Sequence, residues 1–240
     1  LKLEDFGDIE QAISKFLAFT DDRTSPWVAA NRHNEEYMDK SADMGERLLL
    51  FMSNRFHQLA QKTQEQTKSL DVSLPFFQKA SHHYREFVRR YPNAKKAYIV
   101  NFYYAEILFD QLKRFGDAAK QYKRVIELDT KGTYVEDAAL GVIYSTEELM
   151  KNTRVCYRKD KWVEDPTCPF LLDPEIGEGT KVTKSKKVRK EVTEEDVKNA
   201  SVPRKRQELH HLERDFVLGA DKYVELMESL KKAKGAKWMK

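Results

Sequence analysis

Cys156 and Cys168 are the only cysteines of the sequence, and they lie twelve residues apart in a proline-containing segment. Structural zinc takes four ligands, and no local histidine completes such a set, so this pair predicts no zinc site. In an oxidising compartment the two thiols could form a disulfide that closes a short loop. In a reducing compartment they would remain free thiols, and the sequence leaves both states open.

Two pairs of adjacent histidines could also bind a metal: His82 with His83, and His210 with His211. Neighbouring positions of a helix point about 100° apart, so one pair cannot readily hold one ion. Neither pair follows the His-Glu-x-x-His pattern of zinc enzymes. Glu86 lies four residues after His82, which is typical of an ordinary solvated helix contact. We predict no metal site and no cofactor.

Sequence motifs of the common enzyme classes are missing. The chain contains no Gly-x-Ser-x-Gly elbow and no Gly-x-x-x-x-Gly-Lys-Ser/Thr phosphate loop, and the two glycines of segment 177–181 have the wrong spacing for one. The abundant carboxylates occupy positions typical of solvated helix faces. We therefore predict a protein without enzymatic activity and without a small-molecule substrate.

Positive charge is concentrated in residues 181–190 and 231–240, which carry eleven of the 43 Lys and Arg residues and no acid. The rest of the chain is mildly acidic although the formal net charge is +4. The first stretch could bind nucleic acid or an anionic lipid surface, but it has no interleaved aromatic residues and four acids follow it closely. The alternative interpretation is a mobile solvated loop. Its basic residues are Lys181, Lys184, Lys186, Lys187, Arg189 and Lys190.

The elements that must position these residues are predicted to be helices. Nine Gly and seven Pro are few for a chain of many short strands, and 40% hydrophobic residues suffice for a packed core. The longest apolar runs, such as 48–52, are far shorter than the roughly 20 residues that cross a bilayer. An all-α fold without a membrane span is expected.

An internal repeat organises the helices. Three segments share a small residue, an aromatic residue four positions later and an apolar residue three beyond that, which is the spacing of an amphipathic helix. Two more helices are predicted over 95–113, which is apolar on nearly all sides and so packed between neighbours, and over 133–151, where Gly141 allows close helix approach. The three triplets are Ala12, Phe16, Phe19; Ala80, Tyr84, Phe87; and Ala118, Tyr122, Val125.

Residues 72–152 carry small, aromatic and other marker residues at the spacing of a known repeat family. They include Leu140, Gly141 and Tyr144, the pair Ala118 and Tyr122, and the stop at Pro92. This pattern resembles the tetratricopeptide repeat, in which antiparallel helix pairs of about 34 residues stack into a superhelix. The long helices are similar to those of bacterial envelope proteins, namely outer-membrane assembly lipoproteins and periplasmic partners of the Tol-Pal system. Segment 27–31 and the long helix after it also resemble large repeat proteins of deltaproteobacterial gliding-motility complexes.

The resemblance implies an all-α, right-handed α-solenoid of tetratricopeptide-like helix pairs over residues 1–152. Residues 153–202 would form an irregular insertion that carries both cysteines and the first basic stretch. A repeat helix would return over 203–240, and the chain is expected to be a piece of a longer array. The apolar stripe of that helix is Leu209, Leu212, Phe216, Ala220, Tyr223, Val224 and Met227.

Solenoids of this family bind other proteins along an inner face formed by the first helix of each pair. The resemblance therefore implies a non-catalytic interaction scaffold of a bacterial cell-envelope complex for assembly, motility or transport. Its partners would be other proteins of that complex, and its location periplasmic or associated with the outer membrane. Neighbouring repeats could instead cover the inner face, and the runner-up function is an anionic-surface or nucleic-acid binder acting through 181–190 and 231–240. The inner-face residues selected are Tyr103, Ile107, Asp110, Gln111, Val142, Ser145 and Thr146.

Overall fold

A computed structural model describes residues 3–21, 24–159, 161–172 and 209–238, and it confirms a mostly helical chain. The chain divides into two compact units, Leu1–Gly141 and Val142–Lys240. Within the described residues, no helix is both long and apolar enough to span a bilayer. The helices α1 to α7 are Leu3–Asp21, Pro26–Asn31, Glu35–Thr67, Leu70–Arg90, Ala97–Glu106, Phe115–Leu128 and Val135–Asn152; strands β1 and β2 are Val155–Arg158 and Lys161–Glu164, and helix α8 is His211–Trp238.

The first unit is built around the hairpin of α3 and α4. Helix α3 begins after Asn34, whose side chain accepts the N–H of Tyr37, and it ends at Lys68, whose φ of 53° turns the chain. Only two residues link the helices, so they run antiparallel. Their facing stripes are buried at three- and four-residue steps, with Leu49, Met52, Phe56 and Ala60 on α3 and Phe77, Ala80, Tyr84 and Phe87 on α4.

Helix α5 packs against both α4 and α6, which explains its apolar composition on nearly all sides. Its buried residues include Val100 and Ala105. On α6, Ala118, Tyr122 and Val125 are all buried, as the triplet of small, aromatic and apolar residues predicts. The amphipathic assignments of α4 and α6 are therefore confirmed.

A π-helical turn, Ile107–Gln111, continues α5. Its backbone marker is the N–H of Leu112, which donates to the carbonyl of Ile107 at 3.0 Å across five residues instead of four. The segment ends at Lys113, which adopts a left-handed φ of 52°, and the N–H of Arg114 donates to the carbonyl of Leu108 at 2.7 Å. The sequence-based expectation of one regular helix over 95–113 is wrong at this turn.

Helix α1 packs through a face that its repeat triplet does not predict. Ile13 and Leu17 are buried, whereas Ala12 is exposed and Phe19 is 50% exposed. Leu17 lies close to Gly45 of α3, where a Cβ atom would be 3.1 Å from its Cδ2. The prediction that Ala12 and Phe19 play the same role as their counterparts in α4 and α6 is wrong.

Contacts of Glu10 fix the rotation of α1. Its Oε1 lies 3.0 Å from Nε2 of His83, and its Oε2 lies 2.6 Å from Nζ of Lys79, both on α4. Ile13 and Leu17, three and seven residues further on, lie on the same side of the helix as Glu10. The polar contacts of Glu10 and the buried apolar residues thus lie on one face of α1.

Glycines bring aromatic side chains close to the start of α7. A Cβ atom at Gly141 would lie 2.6 Å from the ring of Tyr122, so only glycine accommodates this approach of α6 and α7. The predicted role of Gly141 is confirmed. Gly132 lies under the ring of Tyr98, whose hydroxyl accepts the N–H of Tyr134 at 2.6 Å.

The second unit contains a β-hairpin where the sequence predicts irregular structure. Strands β1 and β2 pair antiparallel with Val155 opposite Glu164 and Arg158 opposite Lys161. Lys159, with a φ of 51°, starts the turn between them. The prediction of an irregular insertion is therefore wrong for its first residues, and residues 173–202 of that insertion lie outside the described residues.

A disulfide joins Cys156 of β1 to Cys168, which follows β2. The guanidinium of Arg154 lies 3.9 Å from the ring centroid of Phe170 and donates to the carbonyl of Cys168 at 3.0 Å. Trp162 on β2 packs edge-on against Tyr157. The hairpin, the crosslink and these side chains form one small cluster.

Helix α8 begins at His211, later than the predicted start near residue 203, and residues 201–208 lie outside the described residues. Leu212 of the predicted stripe is buried, but Leu209 precedes the helix and Val224 is exposed. Gly219 lies against Val142 of α7. The stripe prediction is thus right at Leu212 and wrong at Leu209 and Val224.

Candidate functional site: an aromatic and acidic cleft

A cleft of about 270 Å³ opens in the first unit between α3, the start of α4, and α5 with its π-turn. Four sequence-predicted residues line it together: Tyr103, Ile107, Asp110 and Gln111. Ile107 is 1% exposed, so it closes the floor, whereas Asp110 is exposed at the rim. The other lining residues are His57, Gln61, Gln64, Phe77, Phe102 and Glu106.

Aromatic rings form one wall of the cleft. The imidazole of His57 packs edge-on against Phe77 at 6.1 Å and against Tyr103 at 5.9 Å, measured between ring centroids. Phe102 stacks on Tyr134 at 4.3 Å, and the hydroxyls of Tyr103 and Tyr134 lie 3.4 Å apart. The rings are therefore held by one another, which keeps the wall in place before a ligand arrives.

A hydrogen-bond chain orients His57. The hydroxyl of Tyr84 donates to Oδ1 of Asn54 at 3.1 Å and lies 3.2 Å from Nδ1 of His57. Because that hydroxyl has a single proton, Nδ1–H of His57 donates to it and Nε2 remains the acceptor of the ring. Burial lowers the pKa of His57, so the imidazole is neutral near pH 7.

Carboxylates give the other end of the cleft its charge. Glu106 accepts a short hydrogen bond from the hydroxyl of Tyr122. Burial raises the pKa of Glu106, the Tyr122 hydrogen bond opposes that rise, and the nearby Asp110 and Asp137 add to it. No lysine or arginine is among the described residues that line the cleft. The cleft therefore has a negative potential that favours cationic and N–H groups.

Amide side chains bridge the two helices. Nε2 of Gln64 on α3 donates to Oε1 of Gln111 on the π-turn at 3.4 Å. Gln61 lies one helical turn before Gln64 and lines the same cleft. Amides can donate and accept at once, so they can pair with the backbone of a bound polypeptide. The arrangement suits binding by stacking and hydrogen bonding.

The structure places Val142, Ser145 and Thr146 in the second unit, away from accessible surface. They are 3%, 0% and 3% exposed. The hydroxyl of Thr146 donates to the carbonyl of Val142 within α7 at 2.8 Å, and the Ser145 hydroxyl is buried without a hydrogen-bond partner among the described residues. Buried side chains cannot contact a partner, so we correct their assignment to a binding face.

The structure also places the two histidine pairs and part of the basic stretches. Neither histidine pair belongs to a group of side chains that could hold a metal ion. In the part of the chain that the structure describes, no three or more His, Cys, Asp or Glu side chains converge. His83 instead contacts Glu10, and His210 packs edge-on against Trp162 at 5.6 Å.

The first basic stretch lies outside the described residues, and its members are Lys181, Lys184, Lys186, Lys187, Arg189 and Lys190. In the second stretch, Lys231 and Lys232 are exposed on α8.

Sequence reasoning missed His57, Phe77 and Glu106 as cleft residues. Glu106 carried a usable signal, because it lies three residues after Tyr103 and four before Asp110 on the same helix face. His57 and Phe77 carried none, since they come from other helices and meet the cleft only in the folded chain. Comparisons with protein-family models, with curated proteins and with solved structures find no match to this chain.

Proposed function

We propose that this chain is a non-catalytic scaffold that binds a segment of a partner protein in the cleft between α3 and α5. The observation that carries the proposal is the convergence of Tyr103, Asp110 and Gln111 with aromatic and amide side chains of α3 and α4 in one preformed cleft. His57 and Tyr103 are half-buried, and aromatic side chains with a few fixed polar groups beside them are typical of an interaction hot spot.

A helical-repeat arrangement supports the proposal. Helix α3 packs on α4, α4 on α5 and α5 on α6, which is the order of contacts expected for two successive helix pairs. Ala80 with Tyr84 and Ala118 with Tyr122 are buried alike in the second helix of each pair. In a right-handed α-solenoid of the tetratricopeptide type, the first helices α3 and α5 would line the inner face, where the cleft lies.

The disulfide supports a place for the scaffold in an oxidising compartment. Crosslinks such as Cys156–Cys168 persist in the periplasm and are reduced in the cytosol. We therefore propose a bacterial cell-envelope complex, periplasmic or associated with the outer membrane, as the setting. Its other proteins would be the partners.

Peptide selection tests the cleft. Peptides selected from a random display library on the wild-type chain would be measured by fluorescence anisotropy against the double variant Tyr103→Ala/Asp110→Asn. The matched control is Tyr37→Ala/Asp43→Asn, which makes the same changes at exposed positions of α3 outside the cleft. We expect the cleft variant to weaken binding about tenfold or more and the control less than about twofold.

Equal affinity of the selected peptides for the cleft variant and the wild type would refute the proposal. Far-ultraviolet circular dichroism of each variant checks that the helices are retained. A selection whose peptides all lose affinity equally in both double variants would point to diffuse surface binding and would also count against the cleft.

A further inference from the structure

A second concavity lies on a different part of the first unit, between α4, α5 and α6, and has a volume of about 470 Å³. We call it the basic groove. Five of its lining residues are cationic and one, Asp117, is acidic. The cationic residues are Arg85 and Arg89 of α4, Arg114, which immediately precedes α6, and Lys120 and Arg124 of α6.

Helix periodicity produces this concentration of charge. Lys120 and Gln121 lie three and four residues after Asp117, and Arg124 lies four and three residues after them, so these residues form one face of α6. Arg85 and Arg89 have the same spacing on α4, and α5 lies between the two helices. The groove is therefore bordered on both sides by rows of cations.

Internal ion pairs compensate this charge only in part, because three carboxylates, those of Asp117, Glu127 and Glu86, which pairs with Arg89 at 2.9 Å, face five cations. Asp117 pairs with both Arg114, at 2.5 Å, and Lys120, at 3.6 Å, so one carboxylate serves two cations. Arg124 pairs with Glu127 at 3.2 Å and also donates to Oδ1 of Asn93 at 3.1 Å. Since the pairs hold the guanidinium groups in place, they also orient them for a ligand.

The positive charges of the groove act on Tyr104, which forms its floor. Tyr104 is 3% exposed, and burial raises the pKa of its hydroxyl. Arg114 and Arg85 from the two sides oppose that rise. Both cations therefore act on the same buried point, and a low-dielectric floor strengthens their field in the groove.

We propose that the basic groove binds an acidic polypeptide segment, whose Asp and Glu carboxylates pair with Arg85, Arg114, Lys120 and Arg124. Guanidinium groups pair with carboxylates through two parallel hydrogen bonds, which gives orientation as well as attraction. The amide of Gln121 lines the groove and can pair with the backbone of the segment. This site is separate from the cleft and does not depend on the function proposed for it.

The lining disfavours a nucleic acid. Single strands bind along rows of accessible aromatic rings on which bases stack. Tyr104 is the one aromatic residue among the described residues of the groove, and it is buried. A concave groove also does not project into the grooves of a duplex. Carboxylates on a flexible polypeptide fit the observations better.

A charge-removal experiment on the whole chain tests the proposal. The probe is a fluorescein-labelled oligoglutamate peptide, with oligoglutamine as the uncharged reference, in low-salt buffer where surface charges are weakly screened. The groove variant is Arg85→Ser/Lys120→Ser. The control, Lys62→Ser/Lys123→Ser, removes two exposed cations from α3 and α6 outside the groove and so changes the net charge equally.

We expect oligoglutamate to bind the wild type more tightly than oligoglutamine, with the dissociation constant rising about fivefold in the groove variant and less than about twofold in the control. An equal rise in both variants would overturn the proposal, because it would show diffuse attraction. An oligothymidine that binds more tightly than oligoglutamate and is lost in the groove variant alone would overturn it in favour of a phosphate-binding groove.

Discussion

At the scale of single residues, Lys113 occupies a backbone conformation that suits glycine. Its φ of 52° costs a side chain roughly 1 kcal/mol because Cβ crowds the following carbonyl. Lys113→Gly should therefore raise the free energy of unfolding by about 0.5–1 kcal/mol, measured in urea. Lys123→Gly, the same change inside α6 at an exposed position, should lower it by about 1 kcal/mol. A loss of stability in both variants would contradict this interpretation.

Glu106 should make stability depend on pH. Because burial raises its pKa in the folded chain, the folded state binds a proton more readily than the unfolded state. The stabilisation that this proton gives the folded state is complete below the pKa of Glu106 in the unfolded chain. It is lost as pH rises through the pKa of Glu106 in the folded chain. Glu106→Gln keeps an oxygen that accepts the Tyr122 hydroxyl and removes the charge. We expect the variant to gain stability over the wild type as pH rises from about 4 to 7.

Urea unfolding of both proteins across that pH range measures the difference. The control is Glu65→Gln, which removes an exposed carboxylate of α3 outside the cleft. The difference in free energy of unfolding between Glu106→Gln and the wild type could instead stay constant with pH. That result would mean that the Glu106 carboxylate titrates alike in the folded and unfolded chain.

At the scale of elements, α1 depends on one carboxylate for its position. Glu10 accepts from the buried His83, and removing it leaves that donor unsatisfied, at a cost of about 1–3 kcal/mol. Glu10→Ala should accelerate hydrogen exchange of α1 amides by at least about fivefold. Asp8→Ala removes an exposed carboxylate from the same helix and should leave exchange unchanged. Equal exchange in both variants would show that apolar contacts alone hold α1.

Helices are the part of this fold that sequence reasoning predicts best. Ala80 with Tyr84 and Ala118 with Tyr122 are buried as their spacing predicts, because helix–helix packing places one face of each in the core. The same triplet fails in α1, where the contacts of Glu10 with α4 rotate another face inward. Local spacing predicts that a helix is amphipathic, but contacts with other helices decide which of its faces is buried.

Two features left no usable local signal. Strands β1 and β2 are four residues each, too short for alternation to stand out in a segment rich in proline and charge. The hydrogen bonds of the π-turn differ by one residue from those of an α-helix, and its composition is ordinary for a helix. For the cleft, the residues of α5 could be predicted from the family resemblance, whereas those of α3 and α4 required the fold.

Helix α5 serves two sites of opposite charge. Tyr103 and Glu106 line the cleft, while Asn101 and Tyr104 lie along the basic groove. Packing between α4 and α6 explains why its sequence is apolar nearly all round, and its polar side chains lie along the two concavities. The cleft favours cationic groups and the groove favours anionic ones.

At the scale of the whole molecule, the disulfide lies entirely in the second unit. Reduction should therefore loosen the hairpin and leave the first unit unchanged. The closed loop is worth up to about 3 kcal/mol in the chain-entropy model. Hydrogen exchange with and without a phosphine reductant should show faster exchange in β1 and β2 but not in α4 or α5. Cys156→Ser/Cys168→Ser without reductant controls for effects of the reagent.

Uniform acceleration in both units on reduction would contradict the independence of the first unit from the crosslink. Intact-mass measurement after alkylation reports the state of the cysteines in each sample. Two free thiols in protein isolated under non-reducing conditions would remove the support for an oxidising compartment.

The π-turn of α5 has a consequence for how this sequence could have changed over time. Its hydrogen-bond pattern is that of an α-helix into which one residue has been inserted. Losing one residue between 107 and 111 would restore regular winding, and the residues after the turn would keep their places in the fold. The side chain lost would be one of the turn, and Ile107, Asp110 and Gln111 are the turn residues that line the cleft. A single in-frame event can thus exchange the chemistry of the cleft while the surrounding helices stay as they are.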